Sequence, residues 1–203
     1  MSVEAILLAA GESSRMGKPK ALLDWFGESL VNAQICSLIE GGIDRVIVVT
    51  GAHHEEISRS VQPASNTVTV NNAEWVLGKT TSIKAGLSKL SPNCETIVLL
   101  AVDQPRPSWV VERALNSHRD SGRMVTSPRY SGHGGHPLFF DASLLQELSD
   151  ISEEREGVRE IMKRYDQEMN RVYFDNPIVR FDLNTPDDYK AALSTYPSLA
   201  AQS

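Results

Sequence analysis

The sequence predicts an α/β fold: a mostly parallel sheet with helices on both faces and a small, partly antiparallel extension. Three observations predict it. Short apolar runs alternate with amphipathic stretches from Val3 to His118. Within each run the apolar residues are consecutive, as in strands buried on both faces. After His118 the alternation loosens, and strand-like segments follow one another with little helical pattern between them.

The elements follow in order. Val3 to Ala9 reads as a buried strand. Val31, Ile35, Leu38 and Ile39 recur at helical spacing until Gly41-Gly42 stops them. Arg45 to Thr50 is the second strand, His53 to Arg59 a short helix, and Thr67 to Asn71 the third strand. Ile83, Leu87 and Leu90 share a helix face, and Thr96 to Val102 is a fourth, wholly apolar strand. Pro107 opens a helix marked by Val110, Val111, Ala114, Leu115 and His118. Such a β-α alternation argues for a parallel sheet. Beyond it, Met124 to Thr126, His136 to Phe140 and Arg171 to Phe174 read as strands. Val158, Ile161, Met162 and Tyr165 give one further helix face; Tyr189, Leu193 and Tyr196 give a terminal helix after Pro186. The small, polar end from Pro197 to Ser203 is expected to be a disordered tail.

Bulk properties narrow the function classes. The 203 residues are 41% hydrophobic and 23% charged, enough to bury a core, and a single domain is the default. A net charge of −6 excludes an overall basic face, so no nucleic acid is expected as partner. The apolar run Ala5 to Ala10 is too short for a membrane span and lacks a basic lead-in, so a cytoplasmic protein is expected. The two cysteines, Cys36 and Cys94, are expected as reduced core thiols.

Ligands of such sheets bind beyond the carboxyl ends of the strands. There, after the first strand, stands LAAGESSRMGKPK, residues 8–20. Its glycines let backbone N–H groups approach an anion, and Arg15, Lys18 and Lys20 can neutralise phosphate oxygens. The spacing from Gly11 to Gly17, with Pro19 after Lys18, fits neither the Walker A loop nor the dinucleotide fingerprint. On composition alone the segment is either a triphosphate loop or a solvated basic turn.

Carboxylates supply the counterpart. Asp103 directly follows the fourth strand, as a turn residue of Asp-x-Pro or as a ligand of the Mg²⁺ that a triphosphate carries. Near the C-terminus, Thr185, Pro186, Asp187 and Asp188 are the natural start of a helix, which leaves Asp182 unexplained by capping. Thr81 and Ser82 read as caps ahead of Ile83, and Trp75 as core or rim packing. His133 and His136 are too few to make a metal site by themselves.

Taken together, LAAGESSRMGKPK, AVDQP, GHP within residues 131–140 and DLNTPDD at 182–188 resemble the motifs of the MobA-like NTP transferases. The resemblance spans roughly residues 3–195. It implies a Rossmann-like fold of the nucleotide-diphospho-sugar transferase type, with residues 1–196 as one nucleotidyltransferase domain. It implies that Arg15 and Lys20 stabilise phosphate charge, whereas Lys18 falls at a variable position. Ala9, Ala10, Gly11, Gly78 and Ser82 would line the nucleotide site. Asp103 and, as a second ligand, Asp182 would hold Mg²⁺, and His136 would face the acceptor. Asn184 stands where an aspartate is usual. Gly134 stands where arginine is frequent, a contact that is lost or supplied by His133. Gly157 and Arg159 match more weakly. The subgroup resembled is the cytidylyltransferases of the molybdenum cofactor, partly because Ala10 replaces a glycine. The reaction implied is transfer of CMP from CTP to a molybdopterin-type acceptor with release of pyrophosphate, the product passing to a molybdoenzyme or its chaperone. GTP with another small phosphorylated acceptor is the alternative, and a non-catalytic nucleotide or cofactor carrier a more distant one.

Overall fold

The computed structural model describes residues 2–201. Its central strand is β1 (Ser2–Ala9), buried from Val3 onward. A two-residue hairpin, β2 (Asp24–Trp25) with β3 (Glu28–Ser29), leads into α1 (Leu30–Glu40). β4 (Arg45–Thr50), α2 (His54–Ser60), β5 (Thr67–Asn71), α3 (Lys79–Leu87), β6 (Cys94–Ala101) and α4 (Ser108–Ser121) complete the regular half. β7 (Val125–Tyr130), β8 (His133–Gly134), β9 (Leu138–Asp141), α5 (Leu145–Ser149), α6 (Val158–Arg164), β10 (Asn170–Tyr173) and α7 (Pro186–Ala200) follow.

One sheet runs β10-β7-β9-β6-β1-β4-β5, with β8 paired to β7. β6, β1, β4 and β5 are parallel neighbours. β9 runs antiparallel to β6 on one side and to β7 on the other, and β10 is parallel to β7. The antiparallel extension is therefore chiefly one reversed strand spliced into a parallel order.

Alternate residues of β1 serve opposite faces, as the period of a strand requires. Val3, Ala5 and Leu7 join one core with Leu30 and Leu38 of α1 and Val110 and Ala114 of α4. Ile6 and Leu8 join a second core with Ile83 and Leu87 of α3 and Ile161 of α6. β1, β4 and β6 thus need apolar residues at consecutive positions, which is why they read as continuous.

Several expectations are corrected. The strand expected from His136 starts at Leu138, because Pro137 has no N–H to give a ladder. The fourth strand ends at Ala101, one residue early. The helix carrying Ile83 is capped at Gly78, so Thr81 and Ser82 lie inside it. The tail expected from Pro197 is helical to Ala200, where Trp109 Nε1 donates to the Ala200 carbonyl at 2.7 Å and Asn176 Nδ2 to that of Leu199 at 2.8 Å. Gln202 and Ser203 lie outside the described residues. Cys36 is exposed and so is no core thiol, whereas Cys94 is half-buried against the second core. Cys36 faces away from the side of α1 that buries Gln34 and Leu38. No helix among the described residues is long and apolar enough to cross a membrane.

Candidate active site

The loop after β1 folds back over the carboxyl edge of the sheet. Ser13 adopts a left-handed conformation and its hydroxyl accepts from the Lys20 N–H at 3.0 Å, closing the loop on itself. Met16 is the buried anchor of a short 3-10 turn over Ser14–Met16. From behind, the Ala52 N–H donates to the Ala10 carbonyl at 3.1 Å. The inner face of this loop walls a cleft of about 460 Å³. Ala9, Ala10, Gly11, Arg15, Lys20, Gly78, Ser82 and Asp103 all line it. Trp75 and the exposed Val76 form its rim, and Asn184 also reaches it. Lys18 does not. Its ammonium sits 5.9 Å from the centre of the Tyr189 ring, on the outer side of the loop.

Within the cleft Lys20 Nζ donates to Asp103 Oδ2 at 2.6 Å, so two residues 83 apart in sequence meet at its centre. The floor is fixed by Asn72, which is buried and donates to Thr81 Oγ1 at 2.8 Å and Ser82 Oγ at 2.9 Å. Gly78 turns the chain into α3 with φ of +120°, where an added Cβ would collide with the Glu153 carboxylate. That carboxylate accepts from the Thr80 N–H at 2.7 Å and so caps α3 from a distant segment.

A second cavity, of about 740 Å³, adjoins the first and shares Leu8, Lys79 and Ala101 with it. His136, Asp182, Gly157, Arg159 and Arg129 line this second space. Burial and the nearby Arg106 and Lys79 charges pull the His136 imidazole down from 6.5 to about 3, so it is neutral. Asp103 lines the first cavity and Asp182 the second; the Leu183 N–H donates to the Asp103 carbonyl at 2.8 Å and locks the two turns together. Burial, and then the neighbouring Asp103 carboxylate, raise the Asp182 carboxyl against the lowering effect of Arg106.

Two carboxylates on adjoining turns suit a divalent cation whose remaining ligands are phosphate oxygens and water. Among the described residues no group of three or more His, Cys, Asp or Glu could hold a metal without such help. Lys20 supplies the compensating charge on Asp103.

The model of the MobA-like NTP transferase domain matches residues 5–169, most of the chain. The chain belongs to that family. Among MobA-like relatives, the molybdenum cofactor cytidylyltransferase of Escherichia coli K12 is 27% identical over 195 residues, covering 96% of this chain and 97% of its own. Nicotine blue oxidoreductase of Paenarthrobacter nicotinovorans is 32% identical over 171 residues, covering 80% and 82%. The fold matches the crystal structure of Rv0371c from Mycobacterium tuberculosis with a TM-score of 0.82 at 24% identity, over 96% of this chain and 98% of that one.

One residue of this MobA-like site escapes the sequence reading altogether. Arg106 is 1% exposed. Its Nε donates to the His136 carbonyl at 3.0 Å, and Nη1 to the carbonyls of Pro105 at 2.9 Å and Phe181 at 2.6 Å. Nη2 stands 3.7 Å from Asp182 Oδ1, an ion pair too long for a hydrogen bond. Burial lowers the guanidinium to about 10, and it remains charged at neutral pH. Arg106 thereby ties the Asp103 turn, the His136 loop and the Asp182 turn together. Gln34 braces the same turn from α1, donating to the Gln104 carbonyl at 2.7 Å. An arginine just after Asp-Gln-Pro reads in sequence as an exposed turn residue, and only the number of its partners reveals it. His133 is exposed and lies outside the lining of the second cavity.

Proposed function

We propose that this chain transfers CMP from CTP to the phosphate of a molybdopterin-type cofactor and releases pyrophosphate. The observation that carries the reading is the Lys20–Asp103 contact beside Asp182, where two adjoining cavities meet. A nucleotide in the first cavity and an acceptor in the second would face each other across that junction.

An acceptor phosphate oxygen attacks the α-phosphorus. A new P–O bond forms as the bond to the bridging oxygen breaks, and the electron pair leaves with pyrophosphate. The acceptor oxygen is already ionised at neutral pH, so no protein base is needed. The work of the chain is positioning and charge neutralisation. Arg15 and Lys20 neutralise the departing pyrophosphate. Ala9, Ala10, Gly11, Gly78 and Ser82 line the nucleotide pocket, and neutral His136 faces the acceptor without competing for its phosphate as an ion. Mg²⁺, held by Asp103 and Asp182, would neutralise phosphate charge when bound.

CTP is favoured over GTP by Ala10 and by the near full-length similarity to the Escherichia coli cytidylyltransferase. The Paenarthrobacter relative bears an oxidoreductase name, so the reading rests on the residues of the junction. The product would pass to a molybdoenzyme or its chaperone in the cytoplasm.

The test is Mg²⁺-dependent pyrophosphate release with CTP and with GTP, each with and without a molybdopterin-type acceptor. Acceptor-dependent release with CTP is expected. Preference for GTP, or activity only with another small phosphorylated acceptor, would replace the substrate assignment. No release with any triphosphate would overturn the enzyme reading and favour a nucleotide or cofactor carrier.

A further inference from the structure

The second cavity holds positive charge that the proposed reaction does not use. Its carboxylates all have partners: Glu153 takes the Thr80 N–H, Glu156 pairs with Lys163, and Asp182 faces Arg106. The two arginines that line it are different. Arg159 is exposed and forms no ion pair among the described residues. Among the described residues the hydrogen-bond partner of the Arg129 guanidinium is a thioether, with Nη2 3.3 Å from Met169 Sδ, and its Nε is buried with no acceptor. Sulfur is a weak acceptor, and a guanidinium cannot shed its charge. An arginine held half-buried in this way has no counter-ion among the described residues.

Strand pairing explains how it is held. Arg129 of β7 lies directly opposite Gly134 of β8. A Cβ built on Gly134 would be 3.4 Å from Arg129 Nη1, so the guanidinium lies across the bare backbone of the glycine. The rest of the cavity wall mixes apolar side chains, among them Leu8, Ile83, Leu99, Leu138 and Met162, with polar ones such as Thr80, Gln104 and Ser127. Lys79 stands on the wall shared with the nucleotide cavity, whereas Arg129 and Arg159 line the second cavity alone.

We propose that Arg129, supported by Arg159, is an anion-recognition subsite for a second anionic group of the acceptor, a carboxylate or phosphate separate from the phosphate that reacts. The inference rests on the reading of this cavity as the acceptor's. It adds to that reading a requirement that the reacting phosphate alone does not meet: a further anionic group on the acceptor.

A matched pair of probes tests it: phenyl phosphate and 4-carboxyphenyl phosphate, titrated calorimetrically with the first cavity filled by Mg²⁺ and a non-hydrolysable CTP analogue. The wild type is expected to bind the carboxylated probe roughly tenfold more tightly, the value of one charge-assisted contact. Arg129→Met is expected to abolish the difference while keeping its affinity for the analogue, which also reports that the fold is intact. The double variant Arg129→Gly/Gly134→Arg returns the guanidinium from the opposite strand and is expected to restore the preference. Equal binding of both probes by the wild type, or an unchanged preference in Arg129→Met, would overturn the subsite. Binding of the analogue is read separately. Its absence would count against the nucleotide reading, while the probe pair, titrated alone, still decides the role of Arg129.

Discussion

The two cavities meet at one wall but are held open by different means. The first takes its loop wall from one continuous stretch, Leu8 to Arg15, with Lys20 close behind. That loop is braced locally, by the Ser13 hydroxyl and the buried Met16. The second is gathered from β1, α3, β6, β7, the His136 loop, the 153–162 region and the Asp182 turn. Its front depends on one buried guanidinium, Arg106, with three carbonyls and a carboxylate about it. On the proposed function, nucleotide handling is thus a local property of the chain, and acceptor handling a long-range one. Substitutions in the two regions should fail in different ways.

The largest effect belongs to the junction. Asp103→Ala should lower kcat/KM by about 10²-fold or more, as loss of a single preorganised electrostatic group does elsewhere. Unchanged turnover would remove Asp103 from the site. Arg106→Met should break the second region selectively. It strips donors from the carbonyls of Pro105, His136 and Phe181 and leaves Asp182 without its cation. A loss of about 2–4 kcal/mol is expected in denaturant unfolding, below the usual cost of breaking a fully buried pair because Asp182 is 41% exposed. Among molecules that stay folded, KM for the acceptor should rise while KM for the nucleotide changes little. Equal damage to both constants would show the two cavities to be one mechanical unit. Gly78→Ala should cost about 1–3 kcal/mol, because alanine is strained at this φ and its Cβ meets Glu153; thermal unfolding reads it.

The imidazole of His136 sharpens the comparison through pH. Its folded value lies near 3 against an ordinary 6.5, so the unfolded chain binds the extra proton. Its contribution to stability is complete above 6.5 and is lost as pH falls toward 3. His136→Asn should therefore flatten the decline of melting temperature over that window; an unchanged slope would mean that the ring is solvated. The smallest effect is at Lys18, which faces Tyr189 on the outer side of the loop. Lys18→Ala should keep kcat/KM within about twofold, in line with the modest worth of an exposed cation–π contact.

The same difference governs how much could be read in the sequence. Strands β1, β4 and β6 announced themselves because both of their faces are buried, and the loop after β1 because its glycines and cations are contiguous. Thr185 is the N-cap of α7 as expected, and the structure adds that it forms a capping box with Asp188. Asp182 was legible as a carboxylate that no cap needs, and Asp103 as either a turn residue or a metal ligand. Arg106 and Arg129 were not, because a basic residue beside a turn or on a short strand carries no local mark of burial. Their roles come from partners 30 to 75 positions away and, for Arg129, from a glycine across the ladder. The terminal segment misled for a related reason. Its small residues suggest disorder until Trp109 and Asn176 supply donors to the last carbonyls of the helix.

The most direct measurement is a crystal structure of the protein with a non-hydrolysable CTP analogue and Mn²⁺ in place of Mg²⁺, with the metal located by its anomalous signal. The triphosphate is expected along the loop after β1 in the first cavity, and the metal between that triphosphate and the carboxylates of Asp103 and Asp182. A triphosphate seated in the second cavity, or a metal bound away from both aspartates, would contradict it.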